Sequence, residues 1–286
     1  MVNKFNELLL KDEILVLPGV FDVLSAKIAE KSGFEALFTS GFGISATQLG
    51  MPDYGLMTAT EVISVVEKIT NSVNIDVVAD IDTGYGNPLN VIRTVSELIN
   101  KGVAGIILED QLWPKKCGHM DGKSVIPVRE QIEKIRAARE AADKRELIIV
   151  GRTDARSVLG LDEAIKRGHA YKDAGADIIF IEAPESRQEM IEIGRSFKHT
   201  PLLANMVEGG KTPLLEAGEL KEIGFKIVVY PLCGLFAYTR SVISSFRYLY
   251  ENKSTKGYGN KFGFLDFERI IDTDTYRQMD IKYRSN

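Results

Sequence analysis

The chain has 286 residues, 44% of them hydrophobic and 27% charged, with a net charge of −4. That composition can bury a sizeable core and excludes a compositionally disordered chain, and nothing in the mildly acidic balance suggests the basic face that nucleic-acid binding needs. No apolar run approaches the roughly 20 residues of a membrane span, and two cysteines, Cys117 and Cys233, fit a reducing compartment better than a disulfide scaffold.

The segment Met1–Glu7 lacks the apolar stretch of a secretory leader, so a cytoplasmic protein is expected. Eight short runs rich in Val, Ile and Leu follow: Ile14–Val20, Ala36–Gly41, Asp76–Asp82, Gly105–Asp110, Leu147–Asp154, Asp177–Ala183, Pro201–Met206 and Lys226–Leu232. Near-continuous apolar runs, without strict alternation, are the mark of parallel strands covered on both faces. Amphipathic segments of helical length lie between them, the clearest being Glu61–Ser72, Leu89–Lys101, Arg129–Ala142, Leu161–Ala174 and Arg187–Phe197. Several end in a glycine just before the next strand (Gly33, Gly102, Gly175, Gly224), which is helix C-cap chemistry. Eight strands alternating with helices predict a closed (β/α)₈ barrel, with an open doubly wound sheet as the alternative. The barrel is assigned to residues 1–250. Residues 251–286 form an extension, polar over Asn252–Asn260 and then helical in pattern over Phe264–Tyr283, that packs under the barrel or crosses to a neighbour.

Chemistry in such barrels collects at the C-terminal strand ends. Here those ends carry Thr39-Ser40-Gly41, Asp80-Ile81-Asp82, Glu109-Asp110, Arg152-Thr153-Asp154, Glu182 and Asn205. One charged strand end could simply meet solvent; four successive ends carrying carboxylates and one arginine fit that explanation poorly. Asp80 and Asp82, two apart, are expected on one side of their strand and to need a cation between them, with Glu109 joining from the next strand. Three hard oxygen donors without histidine suit Mg²⁺, or Mn²⁺, over Zn²⁺. Arg152 is then the fork for a substrate carboxylate. The loop Trp113–Lys123 is too long for a simple connection and has glycines at Gly118 and Gly122, the composition of a lid. Its Cys117 follows Lys115 and Lys116, cations expected to lower the thiol pKa, although an inert loop cysteine is an equally open reading. Cys233 is assigned to the core and Gly209-Gly210 to a plain loop.

These residues, in this order, resemble the isocitrate lyase / phosphoenolpyruvate mutase superfamily. The resemblance runs from about Leu17 to Arg240 and rests on Leu17-Pro18-Gly19, Phe21-Asp22, Thr39-Ser40-Gly41, Pro52-Asp53, Asp80 to Gly86, Leu108 to Gln111, Lys115 to His119, Arg152 to Ala155 and Asn205-Met206. It implies that Asp80 binds Mg²⁺, with Asp82 and Glu109 holding the ion directly or through water. It further implies that Ser40, Gly41 and Phe42 grip the 2-oxo acid end of a substrate and that Asp53 lies near the reacting centre. Arg152, Glu182 and Asn205 would contact substrate, or hold the residues that do. Lys115, Cys117, Gly118 and His119 would ride on a gating loop, with Cys117 as the acid/base thiol.

The Lys-Lys-Cys-Gly-His stretch resembles the lyase branch. That implies cleavage of a small di- or tricarboxylate in a homotetramer that exchanges C-terminal helices. The segment Asn205–Pro213 is more similar to dimethylmalate-lyase-like members than to 2-methylisocitrate lyases. Methylisocitrate cleavage, oxaloacetate hydrolysis, mutase-type P–C chemistry and a non-catalytic metabolite-binding barrel stay open as alternatives.

Overall fold

The computed structural model describes residues 4–143, 145–259 and 262–284, so Met1–Asn3, Lys144, Asn260, Lys261, Ser285 and Asn286 lie outside the described residues. Helix α1 (Phe5–Leu10) leads into β1 (Leu15–Val20), α2 (Val23–Lys31), β2 (Ala36–Thr39), α3 (Gly41–Gln48), α4 (Ala59–Thr70) and β3 (Asp76–Asp80). Then come α5 (Pro88–Asn100), β4 (Gly105–Glu109), α6 (Val128–Ala142), β5 (Ile148–Thr153), α7 (Ala155–Leu159), α8 (Leu161–Asp173) and β6 (Ile178–Ile181). The chain continues through α9 (Arg187–Ser196), β7 (Leu203–Asn205), α10 (Ala217–Ile223), β8 (Ile227–Tyr230), α11 (Cys233–Asn252), α12 (Phe264–Ile270) and α13 (Thr273–Arg284). The eight strands pair in parallel, in the order β6-β5-β4-β3-β2-β1-β8-β7, and a parallel bridge between Ile179 and Leu202 joins β6 to β7. The architecture is the expected (β/α)₈ barrel.

Side chains alternate between two cores, because successive strand residues face opposite ways. Leu17, Phe38, Val78, Ile107, Val150, Phe180, Leu203 and Val229 fill the barrel interior, where Phe5 and Leu8 of α1 join them. Leu37, Val77, Ala79, Ile149, Ile179 and Val228 face outward under the helices. The next inward position on each of six strands is polar: Ser40, Asp80, Glu109, Arg152, Glu182 and Asn205. The barrel period itself therefore gathers these groups at one mouth.

Some expected boundaries shift. Gly41, assigned to a strand, begins α3, where the Ser40 side chain caps the helix by accepting from the Gly43 N–H at 3.2 Å. Asp82 lies beyond β3 with φ +50°, so a turn, not strand alternation, brings it beside Asp80. The four glycines read as C-caps all have positive φ; Gly224, at +113°, closes α10 in the left-handed conformation. The helical pattern of Phe264–Tyr283 divides into α12 and α13 around Asp272, which pairs with Lys27 and Lys31 of α2. Cys233, assigned to the core, is exposed at the start of α11. Among the described residues, no helix is long and apolar enough to cross a membrane.

Candidate active site at the barrel mouth

A cavity at the C-terminal strand ends is lined by Ser40, Phe42, Asp80, Cys117, Gly118, His119, Arg152, Glu182 and Asn205. Its remaining wall is apolar, made by Phe38, Ile107, Phe180, Val207, Val229, Pro231 and Leu232. A smaller cavity adjoins it, lined by Gly41, Asp53, Asp80, Asp82 and Tyr85 among others, and Asp80 borders both. Lys115 sits beside the second: its Nζ lies 2.7 Å from Asp53 Oδ1 and 2.6 Å from Asp82 Oδ1. Glu109 stands behind Arg152, with Oε2 at 3.2 Å from Nη2. All fourteen residues singled out in the sequence thus meet at one mouth.

Asp80, Asp82 and Glu109, expected to hold a cation directly or through water, do not close into one cluster here. Among the described residues no three His, Cys, Asp or Glu side chains converge as a metal cluster. Asp82 is turned to Lys115, and Glu109 to Arg152, because buried carboxylates draw in whatever positive charge is at hand. The donors nevertheless fit a hard divalent cation. Glu109 Oε1 is buried with no partner. Asp80 Oδ2 faces Gly41 so closely that a Cβ there would approach it to 3.0 Å. Burial pushes Glu109 well above the ordinary carboxylate range, only partly offset by Arg152, and raises Asp82 to about 6 against the opposing pull of Lys115. A bound dication would favour the charged form of both.

Arg152 is buried, and carboxylates hold its fork. Nε and Nη2 donate to Asp154 at 2.9 and 3.2 Å, and Nη2 also lies 3.2 Å from Glu182 Oε2. Arg152, expected to meet a substrate carboxylate, lines the cavity with its Nε edge and Nη2 already engaged by carboxylates. Burial alone would raise Glu182, but Arg152 and His119 outweigh it and hold the carboxyl far below its usual value. His119 Nδ1 accepts from the Lys211 N–H at 3.0 Å, which leaves Nε2 to donate toward Glu182 Oε1, 3.3 Å away. The Asn205 amide donates to both Glu182 oxygens at 3.3 and 3.2 Å, and its Oδ1 is buried without a partner.

The loop closes over this arrangement. Cys117 donates its N–H to the Asp53 carbonyl at 3.1 Å. The two lysines before it do not set its pKa as expected: Lys115, turned to the carboxylates, lowers it only slightly, and Lys116 Nζ donates to the Gly122 carbonyl at 2.9 Å. Burial instead pushes the thiol up to about 11, reinforced by Asp53 and Glu182, so at neutral pH it is an S–H. A protonated thiol is the form a general acid needs.

A model of the phosphoenolpyruvate phosphomutase family matches residues 5–246. The chain belongs to that family. It is 44% identical to petal death protein of Dianthus caryophyllus over 95% of this chain and 86% of the relative. It is 42% identical to 2,3-dimethylmalate lyase of Eubacterium barkeri over 98% of this chain and 97% of the relative. Among solved structures, oxaloacetate acetylhydrolase in complex with 3,3-difluorooxalacetate superimposes with a TM-score of 0.94 at 32% identity, covering 99% of this chain and 97% of that one.

Two parts of this family member's site, Gln111 and Asp154, were given no role by the residue reading. Gln111 was legible only as part of a motif, yet its side chain brackets the Lys116 backbone, donating to the carbonyl at 2.8 Å and accepting from the N–H at 3.0 Å. Asp154, two residues past Arg152, is the carboxylate that orients it. Gly118 is required by a close approach: a Cβ there would stand 2.5 Å from both Arg152 Nη2 and Glu182 Cγ. Gly118→Ala is therefore expected to hold the loop off the cavity. A displacement of even 1 Å at a reacting centre costs about 100-fold, so steady-state turnover should fall by about that factor with the melting temperature nearly unchanged. Wild-type turnover in the folded variant would contradict this packing.

Proposed function

We propose that this chain is a Mg²⁺-dependent carbon–carbon lyase that cleaves a small 2-hydroxy dicarboxylate, of the 2,3-dimethylmalate kind, to pyruvate or another 2-oxo acid and a monocarboxylate. The observation that carries the reading is Cys117, a thiol that burial keeps as an S–H, held by a loop at a cavity lined by Asp80 and Arg152 and otherwise largely by apolar side chains. The bound cation would supply positive charge to the oxygens of the 2-oxo acid half as the carbonyl forms. Asp80 would hold that ion, with Asp82 and Glu109 binding directly or through water.

The first-turn amides of α3 at Gly41 and Phe42, together with Ser40, would bind the 2-oxo acid carboxylate, as helix N-termini bind anions. Asp53, paired with Lys115, lies beside the thiol loop and is the candidate to take the proton of the 2-hydroxyl. Breaking the C2–C3 bond leaves an enolate on the departing half, and Cys117 Sγ–H would protonate its carbon. Asn205, Glu182 and His119 would position the groups around it, and Arg152 would stabilise developing oxyanions.

The apolar wall supports a leaving half that carries alkyl groups over one that carries a third carboxylate, which favours dimethylmalate over 2-methylisocitrate. One methylene is worth only about 1–3 kcal/mol of discrimination, so the second substrate stays as the alternative. The test is release of 2-oxo acid from 2,3-dimethylmalate, 2-methylisocitrate, isocitrate, oxaloacetate and phosphonopyruvate, each with Mg²⁺ and with chelator. Pyruvate from the methylated malate, lost on chelation, is expected. Turnover of phosphonopyruvate alone would refute the lyase reading, and silence across the panel would favour a non-catalytic barrel.

Residues 1–250 are proposed as the catalytic unit and 251–286 as an arm that joins subunits of a homotetramer. The support is an apolar surface on α11–α13, with Phe246, Tyr250, Phe264, Leu265 and Ile281 each more than 60% exposed. Light scattering is expected to give four times the chain mass, and a monomer at micromolar concentration would refute it. Two free thiols support a reducing, cytoplasmic location.

A further inference from the structure

One buried charge pair lies outside the roles above. The Lys123 side chain, at the returning end of the gating loop, is 1% exposed, and that of Asp154 is wholly buried. Lys123 Nζ lies 2.8 Å from Asp154 Oδ1 and also donates to the Gly118 carbonyl. Asp154 is the same carboxylate that receives Arg152 Nε and Nη2. Its own position is set from behind the sheet. The Asp154 N–H donates to Asp110 Oδ1 at 2.9 Å, and Asp110 is held by Thr153, Tyr171 and Arg167 at 2.7, 2.6 and 2.9 Å. Asp154 is therefore a fixed post, whereas Lys123 belongs to the loop.

We infer that Lys123 is a positioning residue that latches the gating loop: it ties the Gly118 carbonyl to Asp154, so that loop closure and the orientation of Arg152 share one carboxylate. An ammonium group in this buried place is tolerable only when paired, so the pair forms when the loop is down and must break when it lifts. Gly118 lies against Arg152 and Glu182 without room for a Cβ, which makes its carbonyl the point where the latch sets the loop's height. At the loop's other end Gln111 clamps the Lys116 backbone independently, so losing Lys123 frees the tip around Cys117 and Gly118 without unfolding the whole segment.

The inference rests on the lyase reading only for its effect on rate; the latch itself is read without substrate. Iodoacetamide would be added to wild type, Lys123→Met and Lys123→Arg, and Cys117 alkylation followed by peptide mapping apart from Cys233. Lys123→Met is expected to speed Cys117 alkylation at least tenfold, and Lys123→Arg, which restores charge and donors, to return it toward the wild-type rate. In turnover, kcat of Lys123→Met should fall at least tenfold with partial rescue in Lys123→Arg. Should Lys123→Met fail to fold, Lys123→Gln, which keeps a donor but no charge, gives the same reading with a smaller acceleration. An unchanged alkylation rate in a folded variant overturns the latch even if the enzyme is a lyase. Accelerated alkylation in a protein that cleaves no hydroxy acid upholds the latch and sinks the lyase reading instead.

Discussion

Cys117→Ser is expected to lower turnover by about 100- to 10,000-fold, the range that a positioned acid or base contributes, while the melting temperature and the response to Mg²⁺ stay close to wild type. The substitution is nearly isosteric, and the contacts that seat residue 117 are made by its backbone: its N–H donates to the Asp53 carbonyl and its own carbonyl accepts from the Met120 N–H at 2.9 Å. Loop placement should therefore survive. What changes is the acid. Burial pushes this part-buried thiol up to about 11, already high, and a serine hydroxyl in the same place is a far weaker proton donor to carbon. Single-turnover measurements would locate the loss in the chemical step. Unchanged steady-state rates in the serine variant would remove Cys117 from the reaction.

Asp80→Ala is expected to abolish activation by Mg²⁺, so that rates with saturating metal and with chelator coincide. Asp80 is the one carboxylate bordering both cavities, and it also organises its neighbour, since Oδ1 accepts from the Asp82 N–H at 3.1 Å. Charge stabilisation of several kcal/mol by a metal corresponds to a loss of roughly three orders of magnitude in turnover. Asp80→Asn keeps the shape, so it separates lost charge from a lost turn; it should fold like wild type and still lose the metal response. A Mg²⁺-dependent rise in melting temperature reads binding without any substrate and should vanish in both variants. Normal activation of Asp80→Ala by Mg²⁺ would overturn the assignment of this ligand.

Much of the site was legible because a parallel barrel repeats one rule. Each inward strand position is apolar until the strand ends, and the next inward residue is the one that faces the mouth. Phe38 precedes Ser40, Val78 precedes Asp80, and Phe180 precedes Glu182 by two, so apolar runs with polar ends disclose the site in the amino-acid sequence alone. Local patterning says less about groups that act across the fold. Cys117 follows two lysines in sequence, which suggests a lowered pKa, yet both ammonium groups point elsewhere and burial sets the thiol. Arg152 reads as a partner for a substrate carboxylate, and local patterning gives no sign that Asp154, Glu109 and Glu182, from three strand ends, converge on it in space. Asp82 reads as a strand residue because the apolar run continues through Ile81, whereas the backbone turns there with a positive φ. Lys123 is one polar residue in a polar loop, and only its burial against Asp154 distinguishes it.

The most direct test of the lyase account is NMR of the products formed from 2,3-dimethylmalate in D₂O with Mg²⁺. Cleavage between C2 and C3 with protonation of the leaving carbon predicts equimolar pyruvate and propionate, the propionate carrying a single deuterium at C2, and neither product when the metal is chelated. Intact dimethylmalate after prolonged incubation with the Mg²⁺-loaded protein, or products that form equally well with chelator, would contradict it.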